Sequence, residues 1–497
     1  MEENQNIDFD PQLSLAQGLQ AIAQQFPEAI LVWCHLDCKP NLNIASIATL
    51  FHHHQLMLSF RPDGDNFMGS SIGYVEESIC INVNKKVTYP SWQMSSAVGV
   101  IHASVAVTLK DSIPLDTDFD YYLNSLAKLA MPLGLFCYSE PQLLTGSVDL
   151  CIPRATVFSL FKFVKQHYKT RWVFLLGLNL VLYERQWMIL PFLYALFFKK
   201  RSLSAINFDS IPVQSSRKVV DTATIDVIIP TIGRKQYLYD VLHDLAKQTH
   251  LPQKVIIVEQ NPLKGSSSEL DFLTTESWPF EIKHIFTHQA GACNARNLAL
   301  DEVTSGWVFL ADDDIRIEND FNSKVFEIIN KMGVTAVSVR CIQQKEKSMY
   351  KTIFQWGSFG SGCSFVKRKA IEKCKFNTGY EFGYGEDNDF GMQLRNQGID
   401  ILYIPEPQIL HLKAPMGGFR TKPKLQWQSD TIQPKPSPTV MLYQLLHQTQ
   451  EQRLAYKTTL FFKFYRRHPI KNPIRYYNNF QRQWKQSLFW ANELMKR

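Results

Sequence analysis

The nine cysteines form no CxxC pair, and Cys34 and Cys38, four apart, have no second ligand pair nearby. That spacing excludes a zinc finger or ribbon. Thiols scattered in this way suit a reducing compartment rather than a disulfide-stapled secreted domain. No apolar run approaches the roughly 20 residues that a membrane-spanning helix needs. The longest, WVFLLGLNLVLY (172–183) and WMILPFLYALFF (187–198), flank Glu184-Arg185-Gln186. Read as one span, they would put a Glu and an Arg near the bilayer midplane, which is expensive. The opening MEENQNIDFD has neither the basic start nor the apolar stretch of a secretory signal. These absences predict a cytoplasmic protein.

Acidic residues are scarce in two segments. Residues 154–201 carry nine Lys/Arg against one acid, and residues 413–497 carry sixteen against three, while the whole chain is only +7. Both segments are rich in Leu and aromatics, so the expected partner is an anionic membrane surface rather than nucleic acid. Residues 172–198 read as two helices lying in the interface or as a hairpin dipping into one leaflet. A buried helix pair in a core has the same pattern. The protein is thus expected to be cytoplasmic and peripherally membrane-associated.

What is present is ordinary globular composition, 45% hydrophobic and 20% charged over 497 residues, enough for two to four domains. The pattern divides as follows. Residues 1–150 form a smaller α/β domain, with strands expected at 29–37, 78–84 and 98–109 and a helix at 119–131. Residues 151–202 hold the basic amphipathic helices, and 203–222 form a Ser-rich linker. Residues 223–412 form a second α/β domain, with strands at 225–229, 254–258, 281–286, 307–311 and 335–339 and helices at 236–248, 292–302 and 320–331. Residues 413–497 form a basic Pro-rich tail with two amphipathic helices near 439–467 and 474–496.

The chemistry concentrates in the second domain. The strand WVFLA (307–311) runs into Asp312, Asp313 and Asp314. Extended backbone puts Asp312 and Asp314 on one face and Asp313 on the other. Two carboxylates side by side repel, and a hard divalent cation, Mg2+ or Mn2+, keeps both ionised. A solvated turn is the plain alternative. The strand IDVII runs into PTIGR, a loop at the carboxyl end of a strand where open α/β sheets bind ligands; Thr231 and Arg234 there suit a nucleotide. In HQAGACNARN (288–297) the helix N-terminus suits an anion or a sugar nucleotide, with Arg296 and Asn297 one turn in. GSFGSGC (357–363) offers a close backbone approach to a ligand. GYGEDNDF (383–390) places Glu386-Asp387 at a helix start, where acids also serve as caps. His411 follows a strand, with a Gly pair beyond it.

Residues 223–412 resemble a family 2 glycosyltransferase with the GT-A fold, a nucleotide-diphospho-sugar-transferase-like, Rossmann-like mixed sheet. The resemblance rests on VIIPTIGR, ACNARNLAL, FLADDDI, GYGEDNDFGMQLRNQG and IPEPQILHLK, in that order. It implies that Asp312 and Asp314 are the Asp-x-Asp holding the donor ribose and the metal, that Asp387 is the general base, and that His411 adds a metal ligand. It implies nucleotide contacts from Thr231 and Glu259, and Arg234, Arg296, Asn297 and Asp313 stand beside Asp312 as further candidate donor-binding residues. Glu259 departs from the Asp usual in that position. An Asp with a pKa near 4 is ionised at pH 7, so Asp387 is expected to be ready to take the acceptor proton. The reading is an inverting, Mg2+- or Mn2+-dependent transferase. It would move a sugar to a hydroxyl of a saccharide or lipid-linked acceptor in cell-surface polysaccharide or glycolipid synthesis. The alternatives are a silent sugar-nucleotide-binding scaffold and a sugar nucleotidyltransferase.

The first domain resembles a shortened GT-A-like copy of the second. GLFCYSEPQLL (134–144) matches GIDILYIPEPQIL (398–410), DTDFDYYLNSLAK (116–128) lies where EDNDFGMQLRNQ (386–397) lies, and VGVIHASVAV (98–107) lies roughly where GSGCSFVKRKAI does. The copy lacks the triple Asp and the PTxxR loop, and Thr145 stands where His411 does. It is expected to bind acceptor or partner rather than catalyse, with Asp118 and Asp120 as residual carboxylates.

Overall fold

In the computed structural model, residues 10, 12–203, 206, 208–346, 350–414 and 423–496 are described. The chain divides into two compact units, Met1–Glu77 with Lys85–Arg217 and Ser78–Asn84 with Lys218–Arg497. The Gly pair expected beyond His411, Gly417 and Gly418, lies outside the described residues.

The first unit holds five strands, β1 (Ile30–Cys34), β2 (Leu56–Phe60), β3 (Tyr89–Pro90), β4 (Val98–His102) and β5 (Phe136–Ser139), in the order β1-β4-β2-β5-β3. β2 and β5 are parallel and the other pairs antiparallel. The central strands are buried on both faces, hence their near-continuous apolar runs. The strand expected over 98–109 ends at His102, whose ring accepts the Ser104 N–H (3.2 Å) and caps the helix Ala103–Leu109. A short β-branched apolar run fits strand or helix alike, so the cap decided. The strand expected at 78–84 does not form. Those residues belong to the second unit, where the Asn84 N–H donates to Asn396 Oδ1 (2.9 Å) and Ser78 O accepts from Gln452 (2.9 Å).

Residues 171–198 form the helix Arg171–Asn179, a π-helical turn Leu180–Glu184, a left-handed Arg185 (φ 58°) and the helix Ile189–Leu196. Val173, Leu176, Leu180 and Ala195 are buried, and both helices pack on the helix Val157–His167. The other face carries Trp187, Leu190 and Phe197 at 74%, 71% and 87% exposure. No helix among the described residues is long and apolar enough to cross a membrane.

The second unit contains β6 (Ile225–Thr231), β7 (Lys254–Gln260), β8 (Glu281–Thr287), β9 (Trp307–Ala311), β10 (Ile315–Arg316), β11 (Ala336–Gln343), β12 (Phe354–Gln355), β13 (Cys363–Lys367) and β14 (Leu402–His411). They form one mixed sheet in the order β10-β14-β11-β13-β9-β6-β7-β8, with β12 on β14. β9, β6, β7 and β8 run parallel, as do β11 and β14, and β13 lies antiparallel between β9 and β11. The parallel half is almost entirely apolar and buried from Val227 to Ile229 and from Val255 to Val258. The tail forms three helices, Pro438–His447, Gln450–Tyr465 and Pro473–Leu494, where two were expected. The break comes at Thr449, whose hydroxyl accepts the Gln452 N–H (3.3 Å) and opens a new helix. Met441, Leu442, Tyr476 and Phe480 join the core with Tyr380 and Phe390.

The small sheet repeats part of the large one. Its order β1-β4-β2-β5-β3 matches β9-β13-β11-β14-β12, in chain order and in the sense of every pairing. The ladders agree in register: Leu31 faces Ile101 as Leu310 faces Ser364, and Leu56 faces Phe136 as Val337 faces Leu402. Glycines also correspond. A Cβ on Gly99 would meet the Trp33 indole at 2.1 Å, and a Cβ on Gly362 would meet the Asp312 carboxylate at 2.1 Å. Among the described residues the small sheet has no counterpart of β6, β7, β8 or β10. The first unit is therefore a smaller α/β domain carrying the C-terminal half of the second sheet, with Trp33 in the position of Asp312.

Candidate active site

Strand ends and loops of the second unit enclose a cavity of about 480 Å³. β6 brings Thr231 and Arg234, β9 brings Asp312, Asp313 and Asp314, and β14 brings His411. The helix Ala292–Leu300 contributes Arg296, and the start of the helix Glu386–Arg395 contributes Glu386 and Asp387. Both carboxylate groups expected from the sequence thus face one cleft.

Arg234 serves two of the three aspartates, each of which has a further partner of its own, and Asp312 has a different arginine. Asp313 is buried and accepts from Thr231 Oγ1 (2.6 Å) and Arg234 Nη1 (2.5 Å). Asp312 accepts from Arg296 Nη2 (3.0 Å). Asp314 Oδ1 lies 3.3 Å from His411 Nε2, while Oδ2 accepts the Ala414 N–H (2.8 Å) and lies 3.3 Å from Arg234 Nη1. Asp312, Asp314 and His411 present one ligating atom each, all within 4.8 Å of one another. Two carboxylate oxygens and an imidazole nitrogen at that spacing fit a divalent cation such as Mn2+ or Mg2+.

Burial alone would raise the Asp314 pKa, but hydrogen bonds from His411 and Ala414 and the Arg234 charge hold it below the usual range. The same hydrogen bond raises His411. Asp313, desolvated most strongly and only partly compensated by Arg234 and Thr231, is pushed up to about 6. Asp387 is raised by burial against the opposing pull of Arg296 and a hydrogen bond from Ser361. Burial and the Asp387 charge push Glu386 up to about 7. The expectation of an unperturbed Asp387 is thus corrected: two acids crowd a desolvated corner, and neither titrates as it would in water.

Asp387 does not cap its helix. Its carboxylate accepts from the hydroxyl of Ser361 and, at 3.4 Å, from its N–H. Gly385 (φ 122°) sits at the N-cap with no side-chain cap bond. Asp389 points the other way, to His447 Nε2 (2.7 Å) and Tyr380 OH (3.4 Å). Glu259 lies outside the main cavity. It is held by His284 Nε2 (2.9 Å) and the Glu269 N–H (3.2 Å), and it lines an adjoining cavity of about 130 Å³ with Thr231, Arg234 and Gln260. Asn297 lines neither cavity; its amide bridges the N–H and C=O of Phe376 (2.8 Å each).

The helix N-terminus expected to receive an anionic ligand already has one. Glu381 Oε1 accepts the Asn294 N–H (2.7 Å), and its carboxylate also takes the Cys293 and Ala292 N–H groups. Gly291 makes the space, since a Cβ there would lie 2.4 Å from Glu381 Oε1. Sequence reasoning missed Glu381, Ser361 and Lys413, all of which line the cavity. Ser361 lay within the Gly-rich stretch that was singled out. Glu381 carries no spacing signal, because its partner is 87 residues away.

The family model described as "Glycosyl transferase family 2" matches residues 226–385. The succinoglycan biosynthesis protein ExoM of Rhizobium meliloti (strain 1021) is 24% identical over 205 residues, covering 37% of this chain. The chain spans 66% of that relative's length. Among solved structures, S. aureus TarS 1–349 in complex with UDP-GlcNAc aligns at 15% identity with a TM-score of 0.36, over 53% of this chain and 79% of that one. GalNAc-T7 with UDP, GalNAc and Mn2+ aligns at 14% with a TM-score of 0.31, over 42% and 48%.

Proposed function

We propose, from the premise that residues 226–385 are a family 2 glycosyltransferase segment, that this protein transfers a sugar from a nucleotide-sugar donor to an acceptor hydroxyl with inversion at the anomeric carbon. The carrying observation is that Asp312, Asp314, His411 and Asp387 line one cavity.

Asp312, Asp314 and His411 would hold the cation. When bound, a divalent ion neutralises the charge that develops on the departing nucleoside diphosphate. Arg234, already paired with Asp313 and Asp314, adds a fixed positive charge on that side. Asp387, oriented by Ser361, accepts the acceptor's hydroxyl proton as the new bond forms. Its raised pKa makes it a stronger base than a free Asp, provided the pH is high enough to ionise it. The adjoining cavity with Glu259 and Gln260 suits the nucleoside base, which Glu259 meets with acceptor oxygens. Turnover of a nucleotide-sugar panel with Mn2+ or Mg2+, and its loss on chelation, tests the reading. Release of pyrophosphate from a nucleoside triphosphate and a sugar 1-phosphate, with no nucleoside diphosphate formed from the nucleotide sugars, would favour a nucleotidyltransferase, and binding without turnover a scaffold.

The acceptor class, a saccharide or lipid-linked saccharide in polysaccharide or glycolipid assembly, is supported by the relation to a succinoglycan biosynthesis protein. A working position at the cytoplasmic face of a membrane is supported by the exposed Trp187, Leu190 and Phe197 within a segment of nine basic residues and one acid. Sedimentation with anionic liposomes at low salt, weakened at high salt, is the expected result. No sedimentation at either salt would remove the membrane from the account.

A further inference from the structure

The matched topology gives the first unit a counterpart of the catalytic cleft. In the second unit, Cys341 of β11 and His411 of β14 line the cavity at the carboxyl ends of a parallel pair. The equivalent pair in the first unit is β2 and β5, and a crevice opens at their carboxyl ends between Ser59, Arg61 and Ser139. Such strand ends are where α/β sheets place ligands.

Half of the catalytic arrangement persists in the first unit. Asp120 is the second residue of its helix, as Asp387 is of its own. Asp120 accepts both the N–H (2.8 Å) and the hydroxyl (2.6 Å) of Ser96, just as Asp387 accepts both donors of Ser361. The donor half is gone: β6, β7 and β8 have no counterpart, and Trp33 fills the position of Asp312.

The crevice has unmet hydrogen-bonding capacity. Arg61 is 7% exposed; its Nε is held by Asp63 (2.8 and 3.0 Å) and its Nη2 by the Ile152 carbonyl (2.5 Å), which leaves Nη1 without a partner. Gln93 Nε2 and Asn66 Oδ1, lining the same crevice, are buried and also lack partners among the described residues. Two donors and one acceptor match a hydroxyl, which accepts and donates at once. The whole crevice holds about 20 Å³, room for one hydroxyl-sized group.

We propose that the first unit is a non-catalytic saccharide-binding domain, in which a sugar hydroxyl enters this crevice beside Arg61, Gln93 and Asn66, whose unpartnered polar atoms lie beneath its surface. It keeps the acceptor side of a transferase cleft without the donor side. Its ligand is a glycan rather than a nucleotide sugar.

The test uses the full chain, without nucleotide sugar, on an array of neutral and acidic oligosaccharides. Wild type is expected to retain glycans. Gln93→Ala and Asn66→Ala should each weaken the retained glycan about tenfold. No retention by wild type, or retention undiminished in both Gln93→Ala and Asn66→Ala, overturns the proposal. If the crevice variants fail to fold, a crystal of wild type soaked with the retained glycan decides. Sugar density against Arg61 supports the site; a lone water there with the glycan elsewhere refutes it. Because no donor is present, the result is independent of whether the second unit transfers sugar.

Discussion

Replacing Asp387 by Asn isolates the proton-acceptor step. The amide has the shape of the carboxylate, and its Oδ1 can still accept from Ser361, so the loop 358–363 keeps its anchor. The change also removes one negative charge from a corner that already holds Glu386 and Asp312, so the fold has no reason to weaken. General-base catalysis contributes roughly 10²- to 10⁴-fold. Glu386 lines the same cavity and is pushed up to about 7, which makes it a partial substitute and favours a loss in kcat of about 10²- to 10³-fold. Donor affinity should change by less than about twofold, since Arg234, Asp312, Asp314 and His411 are untouched. The residual activity should titrate below pH 7, because the Asp387 charge is one of the causes that raise Glu386. Steady-state transfer assays across pH, with donor affinity by calorimetry, read all three quantities. A kcat within threefold of wild type, or a parallel loss of donor affinity, would refute the assignment and leave Asp387 a structural residue.

Three other outcomes follow from the same geometry. Glu386 has a folded pKa above its unfolded value, so its ionisation costs stability as pH rises from about 4.5 to about 7; Glu386→Gln should melt like wild type at pH 4 and be more stable by about 3 kcal/mol at pH 8. Gly362→Ala drives a methyl into the Asp312 carboxylate and should cut metal-dependent turnover by about 10²-fold or more with little change in melting temperature; unchanged metal dependence would separate Asp312 from the cation. His447→Ala leaves the buried Asp389 without its 2.7 Å partner and should destabilise the second unit by about 2–3 kcal/mol in urea titration; a loss under 0.5 kcal/mol would show that Tyr380 and Gln393 suffice.

The sequence by itself determined what short spacing can carry. An apolar strand ending in three aspartates, a glycine-rich approach, and Glu386-Asp387 at a helix start are local patterns, and their order along the chain is enough to suggest the chemistry. The shared Glu-Pro-Gln turn likewise betrayed the repeat. Tertiary structure decided everything that depends on residues far apart. It put Glu381 on the amides meant for a ligand, set Gly362 against Asp312, fixed Ser361 to Asp387, and packed the tail helices behind Tyr380. It also assigned 78–84 to the second unit, against its strand-like pattern. The physical reason is that strand and helix periods report which face of an element is buried, not which element buries it. A pairing across 26 or 87 residues leaves no period to read, and the perturbed acidity of Asp387 and Glu386 arises only when folding removes their water.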